Sequence, residues 1–303
     1  MNPIGQSLGT SLAEQLAPRV LTPAFAFWAG GLLALWTSGY GRIWATGLAA
    51  LPTVLQVLLL AAVLMLVAAS AVLAEHLTLP VVRLLEGYWP QRLAAPLRKR
   101  TVRRRERIER SLRELTAKAF HGEAGPEDER LRRIAEQRLF DLPAEPASAL
   151  PTRLGNILRA AEDRPRSRYG LDPVLCWPHL WLSLDKEPQE ELAQARKGLD
   201  DAARLWLWCL LFAVWTPWSR WALLVTLIGC PAVYYGAMLA RARAYGLLMQ
   251  SVFDLYRRRV YRGLGWPAPT DAAGEPAAGQ EVTTYLWRGI APSGLRFATD
   301  DKD

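Results

Sequence analysis

Residue types that could perform chemistry are few in this chain, and they are scattered. The three histidines, His76, His121 and His179, are far apart, and no pair of histidines or cysteines has the spacing of metal ligands. No phosphate-binding P-loop is present. Glu75 lies beside His76 at the end of a long apolar run, where polar residues ordinarily only mark the end of a membrane span. We therefore predict no catalytic residue, no metal site and no bound cofactor, and we favour a protein that is not an enzyme.

The cysteines do not indicate a disulfide framework. Cys209 and Cys230 lie in predicted membrane spans, whereas Cys176 lies in the predicted cytoplasmic part of the chain. We interpret all three as buried, inert thiols.

The apolar and charged residues of this 303-residue chain are segregated. No charged side chain occurs from residue 20 to 41 or from residue 43 to 74, and both runs exceed the roughly 20 apolar residues that cross a bilayer core of about 30 Å. Two shorter apolar runs follow, joined by the turn TPWSRW. The sequence predicts an all-α polytopic membrane protein with four transmembrane helices in two hairpins. The predicted spans are 21–40, 53–74, 204–217 and 221–240.

The basic residues predict the orientation of these spans. Residues 76–204 contain 25 Lys/Arg against 20 Asp/Glu, whereas the two predicted outer loops carry one arginine each, Arg42 and Arg220. This asymmetry follows the positive-inside rule, so we expect both termini to be cytoplasmic at a bacterial inner membrane. The predicted domains are an N-terminal hairpin (1–75), a cytoplasmic helical domain (76–203), a C-terminal hairpin (204–241) and a cytoplasmic amphipathic helix with a tail (242–303).

Aromatic residues cluster beside the lone arginines of the two predicted hairpin tips. Tryptophan and tyrosine are enriched where a membrane meets water. The predicted outer interface belt consists of Trp36, Tyr40, Trp44, Trp215, Trp218 and Trp221.

A dense basic run follows the second span. Ten Lys/Arg occur from Arg98 to Lys118. Contact with anionic lipid, worth about 1 kcal/mol per basic residue near the surface, competes with retention of the loop in the cytoplasm and with a solvated, ion-paired helix. Nucleic acid is disfavoured because the run lacks stacking aromatic residues and three glutamates interrupt its charge. The residues predicted to contact anionic lipid are Arg98, Lys99, Arg100, Arg103, Arg104 and Arg105.

Residues 152–181, TRLGNILRAAEDRPRSRYGLDPVLCWPHLW, mix charges, glycines and tryptophans that no helical face sorts. A packed contact between domains or subunits is one interpretation, and a ligand or ion site is the other. We predict that this segment couples the cytoplasmic domain to a membrane hairpin or contacts a partner. The residues assigned to this role are Arg159, Glu162, Asp163, Arg168, Asp172, Trp177 and Trp181.

Part of this segment resembles a known group of sequences. The pattern LGNxxRAAE, followed by RYGxD and WPxLW, is similar to that of uncharacterised bacterial multi-pass membrane proteins. The resemblance covers about a tenth of the chain. It implies a bacterial origin and a functional segment, and it implies no activity.

A stripe of leucine and alanine keeps heptad spacing from Gln189 into the third predicted span. Such a stripe favours one long helix and close packing between helices. It predicts a homo-oligomer whose seam consists of Leu192, Ala195, Leu199, Ala202 and Trp206.

Three functions remain open at this point. The favoured one is an oligomeric channel or pore, anion-favouring and gated through the cytoplasmic helical domain. The second is a membrane-anchored scaffold or effector subunit that docks a soluble cytoplasmic partner. The third is a membrane enzyme acting on lipid, for which no convergent acid/base or metal site is found. The expected partners are membrane lipid with anionic headgroups, further copies of the chain and a soluble cytoplasmic protein.

Overall fold

The part of the chain that the structure describes is entirely helical. The computed structural model describes residues 23–39, 46–48 and 50–297, in which eleven α-helices and no strand are found. The predicted all-α fold is therefore confirmed. The helices are α1 Pro23–Thr37, α2 Thr53–His76, α3 Thr78–Glu86, α4 Gln91–Phe120, α5 Pro126–Phe140, α6 Arg153–Tyr169, α7 Pro173–Ser183, α8 Lys186–Leu211, α9 Arg220–Ala232, α10 Leu239–Gly263 and α11 Glu275–Arg288. Short 3₁₀ helices lie at Pro146–Ser148 and Phe212–Trp215, and a π-helical segment, Val233–Met238, joins α9 to α10.

The chain divides into two compact units. Unit 1 contains the described residues of Met1–Val82 and Asp200–Met238, and unit 2 those of Arg83–Leu199 and Leu239–Asp303. Unit 2 therefore joins the predicted central domain to the predicted C-terminal helix and tail in one body.

Unit 1 is built around an aromatic cluster on α1. The ring of Phe27 lies 5.2 Å from Trp208, 5.8 Å from Phe212 and 5.6 Å from Trp215. Gly31 makes room for this packing, because a Cβ at that position would overlap the Trp215 indole. Small residues allow helices to approach closely in this way.

Helix α2 is apolar and almost wholly uncovered by the rest of the chain. Only 6% of its most apolar stretch is buried, and side chains such as Val54 and Met65 are each 70% exposed. Among the described residues, two helices are long and apolar enough to cross a membrane, namely α2 and the continuous 44-residue helix Arg220–Gly263. Helix α1 is apolar but has 15 residues as described. The other two predicted spans, 21–40 and 204–217, stay predictions.

The third predicted span is short for a bilayer. Arg204 pairs with Glu75 at the end of α2, with Nη1 3.2 Å from Oε1, and also pairs with Asp201. From Arg204, α8 continues only to Leu211 before the 3₁₀ helix Phe212–Trp215 begins. At 1.5 Å per α-helical residue and about 2 Å per 3₁₀ residue, this rise is roughly 20 Å. Trp215, predicted in the outer belt, is 9% exposed and belongs to the aromatic core of unit 1.

Unit 2 packs α7 and α11 around the pair formed by α6 and α10. Gly246 of α10 is so close to α6 that a Cβ there would lie 2.9 Å from the Ala161 methyl group. One core cluster of unit 2 contains buried side chains that include Tyr169, Leu171, Cys176, Leu180, Phe253, Tyr261 and Val282. Helices α4 and α5 form a hairpin. An ion pair links them, with Lys118 Nζ of α4 lying 3.3 Å from Asp128 Oδ1 of α5.

Local signals explain where α6 and α7 begin. The hydroxyl of Thr152 accepts a hydrogen bond from the Gly155 N–H at 3.0 Å, and Asp172 Oδ1 accepts one from the Val174 N–H at 2.8 Å. Both residues are N-caps, which satisfy backbone donors that lack an intrahelical partner. Pro173 follows at the first position of α7, where its missing N–H costs nothing.

Candidate functional site

The predicted coupling segment forms α6, α7 and the corner between them. Gly170 ends α6 with φ 71°, in the left-handed region that favours glycine. A Cβ on Gly170 would meet the carbonyl oxygen of Pro276, and a Cβ on Gly279 would meet that of Tyr169. The corner of α6 and α7 is therefore in direct backbone contact with α11.

Asp172 and Thr283 hold this contact in place. The backbone N–H of Asp172 donates to Thr283 Oγ1 at 3.0 Å, and the same hydroxyl donates to the Gly170 carbonyl at 3.1 Å. The second carboxylate oxygen of Asp172 pairs with Arg166. Asp172 is 7% exposed, so its hydrogen-bonding capacity is used within unit 2.

A second group of polar residues surrounds the Tyr169 ring. The Tyr169 hydroxyl donates to Asp254 of α10, and Arg168 Nη1 lies 3.6 Å from the other carboxylate oxygen of Asp254. Arg257 lies 4.3 Å from the centre of the Tyr169 ring and pairs with Glu275 of α11 at 2.6 Å. Burial, and then the hydrogen bond to Asp254, raise the pKa of the Tyr169 phenol. The phenol therefore stays protonated at neutral pH and serves packing.

The remaining charged coupling residues interact within α6 itself. Arg159 lies 3.5 Å from Glu162 and 3.2 Å from Asp163, at i,i+3 and i,i+4 spacing. Arg168 and Asp172 have separate partners, Asp254 and Arg166. The predicted charged residues thus form three separate groups.

Trp177 and Trp181 line an open groove of about 380 Å³ on unit 2. Their ring centres are 5.8 Å apart, and Trp177 is also 5.8 Å from Phe253 of the core. The guanidinium of Arg196 lies 5.7 Å from the centre of the Tyr245 ring at the same groove. The groove is lined by Trp177, Pro178, Trp181, Leu192, Ala193, Arg196 and Tyr245. Apolar walls with one cation suit a ligand that is apolar and carries a negative group.

An arginine-rich contact ties the α4–α5 hairpin to the α6–α10 pair. The Arg164 guanidinium lies 3.3 Å from the centre of the Phe140 ring, donates to the Phe140 carbonyl, and donates to Gln250 at 2.7 Å. Arg243 binds both carboxylate oxygens of Asp141, at 2.7 to 3.1 Å. Burial lowers the pKa of Arg164 to about 10, so it remains charged at neutral pH.

The described residues offer binding chemistry at the groove and no recognisable catalytic centre. Within residues 23–39, 46–48 and 50–297 there is no group of three His, Cys, Asp or Glu that could hold a metal ion. Cys176 is buried beside the corner, and burial raises the pKa of its thiol to about 12. A thiol with that pKa is almost wholly protonated at neutral pH and is a poor nucleophile.

The residues predicted to contact lipid divide between two faces of α4. Lys99, Arg100 and Arg103 are exposed, whereas Arg98, Arg104 and Arg105 are half-buried. Arg105 pairs with Glu109 at 2.7 Å and donates to the Pro143 carbonyl. Desolvation and the nearby Arg153 and Arg138 lower the pKa of Arg104. Of the six residues, the exposed Lys99, Arg100 and Arg103 are therefore available to a lipid surface.

The predicted oligomer seam is largely covered within one chain. Leu192, Leu199 and Ala202 are at most 3% exposed, and Ala195 and Trp206 are half-buried. The seam stays a prediction, although in this conformation three of its five side chains have little surface left for another copy.

The predicted outer belt is described only in part. Trp36, Trp218 and Trp221 are 59%, 40% and 75% exposed. Tyr40 and Trp44 lie outside the described residues, as does Arg42.

Sequence reasoning missed the residues on α10 and α11 that complete these contacts. Asp254, Thr283 and Tyr245 lie 49 to 113 positions from the residues they contact, and no local pattern connects them. Asp254 and Arg257 have the spacing of an ordinary charged pair on a helix surface.

Comparisons of the chain with protein-family models, with curated proteins and with solved structures gave no significant match. The proposals below are therefore based on the chain's own residues.

Proposed function

We propose that this chain is a membrane-anchored scaffold, in which unit 1 spans the bilayer and unit 2 is a cytoplasmic domain that docks a soluble protein. The exposure of α2, a 24-residue helix with 6% of its apolar stretch buried, supports the membrane part of the proposal, and the groove at Trp177 and Trp181 supports the docking part. The four-span topology, cytoplasmic termini and bacterial inner membrane belong to this proposal.

The exposure of α2 favours lipid over water as its surroundings. No charged side chain interrupts residues 53–74, and 24 helical residues extend about 36 Å, enough for a bilayer core. A soluble protein rarely leaves more than a few hundred Å² of contiguous apolar surface in water. Lipid satisfies this surface without a further protein partner.

The proposed docking surface is the groove between Trp177, Trp181 and Tyr245. Tryptophan, tyrosine and arginine are the residue types that contribute most to protein–protein binding. Arg196 adds one positive charge at the groove. The partner segment that fits best therefore carries an apolar side chain next to a carboxylate.

Membrane insertion can be tested with one charge in α2. Leu60→Arg places a cation in the middle of the apolar stretch, where insertion costs about 2.5 to 3.5 kcal/mol. Because a poorly inserted α2 exposes the chain to degradation, we expect less full-length variant than wild type in carbonate-washed membranes. Leu182→Arg is the matched control, since Leu182 is 84% exposed on unit 2 and its replacement should change little. Equal retention of both variants in carbonate-washed membranes would contradict the proposal.

Docking can be tested with a photo-crosslinking residue at Pro178, which is exposed and lines the groove. We expect one discrete cross-linked partner at Pro178 and none at Phe120, an 86% exposed position elsewhere on unit 2. Arg196→Glu should abolish the product and Arg130→Glu should leave it intact. A product formed equally at Phe120, or one containing only a second copy of the chain, would contradict docking of a soluble partner at the groove.

The pore and the lipid enzyme stay predictions. A pore would require several copies of the chain, so the structure of a single copy does not test it. Ion flux through liposomes containing the purified protein would favour the pore, and its absence from an intact oligomer would favour the scaffold.

A further inference from the structure

A stretch near the start of unit 2, residues 87–105, is strongly basic. Between Glu86 and Glu106 the chain contains no acidic residue. The same interval contains seven Lys/Arg, namely Arg92, Arg98, Lys99, Arg100, Arg103, Arg104 and Arg105. Seven positive charges therefore lie in this short interval, whereas the formal net charge of the whole 303-residue chain is +8.

One face of α4 carries three of the four exposed cations of this interval, and Arg100 is the fourth. Arg92, Pro96, Lys99 and Arg103 are spaced i, i+4, i+7 and i+11, which places them along one side of a helix. All four are exposed, whereas Ala94 on the other side is 1% exposed. Among the residues that the structure describes, no carboxylate forms an ion pair with Arg92, Lys99 or Arg103. Their charges are therefore not neutralised within unit 2.

Large apolar side chains are exposed at neighbouring positions of the sequence. Leu84, Tyr88 and Leu93 are 52%, 58% and 64% exposed and lie within ten residues of one another. A single exposed leucine is ordinary on a soluble protein. Exposed leucine and tyrosine next to a row of lysine and arginine are typical of helices that lie at a membrane–water interface.

The covalent chain keeps this segment near any membrane that α2 crosses. Leu84 follows His76, the last residue of α2, by eight positions. Eight residues reach at most about 29 Å when fully extended, and much of this stretch is folded into α3. The argument rests on the proposed function, since it requires α2 to be a membrane span.

We propose that residues 84–103 form a docking surface for anionic lipid. Leu84, Tyr88 and Leu93 enter the boundary between headgroups and acyl chains, and Arg92, Lys99 and Arg103 contact lipid phosphates. The surface holds unit 2 against the bilayer by a contact separate from the spans. Each cation near an anionic surface strengthens such a contact by roughly fivefold.

The experiment places a nitroxide on the full-length protein in nanodiscs and compares its accessibility to oxygen, which concentrates in lipid, with that to a water-soluble nickel chelate. Labels at Leu84 and Leu93 test the docking surface. A label at Leu64, 51% exposed on α2, tests the span, and a label at Phe120 is the aqueous reference. Cys209 and Cys230 are replaced by alanine, and Cys176 is retained because it is buried.

In nanodiscs of phosphatidylcholine with phosphatidylglycerol, we expect the labels at Leu84 and Leu93 to be more accessible to oxygen than to the nickel chelate, and the label at Phe120 to show the reverse. In phosphatidylcholine alone, the ratio of oxygen to nickel accessibility at Leu84 and Leu93 should fall toward the ratio at Phe120. Lys99→Gln with Arg103→Gln should lower the docked-to-undocked ratio in anionic nanodiscs by roughly 25-fold, about fivefold per cation. Arg130→Gln with Arg133→Gln, which removes two exposed cations from α5, should leave the ratio unchanged.

The outcomes separate this inference from the proposed function. If the Leu64 label is in lipid but the Leu93 label is in water in anionic nanodiscs, the proposed lipid-docking surface is wrong and the membrane span stands. The same conclusion holds if added nucleic acid or protein then protects the Leu93 label. If the Leu93 label favours oxygen equally in both lipid mixtures, recognition of anionic lipid is wrong. If the Leu64 label is aqueous, the proposed function fails as well.

Discussion

The backbone N–H of Asp172 donates a hydrogen bond to Thr283 Oγ1 at 3.0 Å, across 111 positions of sequence. The same hydroxyl donates to the Gly170 carbonyl at 3.1 Å, so one threonine of α11 binds both sides of the corner between α6 and α7. The glycine and aspartate of the RYGxD pattern therefore join three helices. This relationship explains the pattern by packing, without a bound ligand.

Replacing Gly279 with alanine should destabilise unit 2. The added Cβ would overlap the Tyr169 carbonyl oxygen, so α11 must move away from the corner, at a cost of about 1 to 3 kcal/mol. Gly198→Ala is the control, because its Cβ would meet only Arg241, at 3.8 Å. Thermal unfolding followed by circular dichroism measures both variants. Equal melting temperatures would show that α11 is not packed on the corner as described.

Two substitutions of Asp172 separate its cap from its ion pair. Asp172→Asn keeps an oxygen for the Val174 N–H and loses the charge toward Arg166, whereas Asp172→Ala loses both. Because Arg166 is 56% exposed, the ion pair should contribute less than 1 kcal/mol, and the lost cap should cost about 1 kcal/mol. Chemical denaturation should rank stability as wild type, then asparagine, then alanine. An asparagine variant as unstable as the alanine variant would show that the charge, rather than the cap, is decisive.

Gly31→Ala should destabilise unit 1. A Cβ at Gly31 would overlap the Trp215 indole, and that ring also contacts Phe27 and Trp28. We expect a loss of about 1 to 3 kcal/mol, measured as a lower aggregation temperature in detergent. Gly236→Ala is the matched control, since nothing lies within 4 Å of its added Cβ. If only the Gly236 variant is destabilised, the aromatic cluster does not hold α1.

The thiol of Cys176 should be unreactive in the folded protein. Its pKa is raised from 9.0 to about 12, chiefly by burial, and this shift lowers the thiolate fraction by roughly a thousandfold at pH 8. In protein lacking Cys209 and Cys230, maleimide should modify Cys176 only after unfolding. Because the folded state holds this proton more tightly, the stability it contributes is present below pH 9 and is lost as pH rises toward 12. Rapid modification of native protein at pH 8 would contradict the buried environment.

The sequence predicted the features that local signals determine. Thr152 and Asp172 are residue types that favour the N-cap position, and both are N-caps in the structure, because an N-cap depends only on its own side chain and the next three residues. The apolar character of residues 53–74 likewise required no knowledge of tertiary contacts.

The sequence did not predict contacts that depend on distant residues. Arg168 pairs with Asp254 rather than with a charge of its own segment, and Trp215 packs on α1 rather than at an exposed belt. The heptad stripe through Leu192 and Leu199 is buried in the structure, but periodicity does not reveal whether such a face is covered by the same chain or by another copy.

The central claim is that lipid covers α2, and the reactivity of a cysteine at Val57 tests it most directly. Val57 is 60% exposed in the chain and Phe120 is 86% exposed, so in water both positions would react readily with a charged, water-soluble thiol reagent. In native membranes opened to admit the reagent, Val57→Cys should stay unmodified while Phe120→Cys reacts, and both should react in denaturing detergent. Modification of Val57→Cys in native membranes as fast as Phe120→Cys would contradict the membrane-spanning assignment of unit 1.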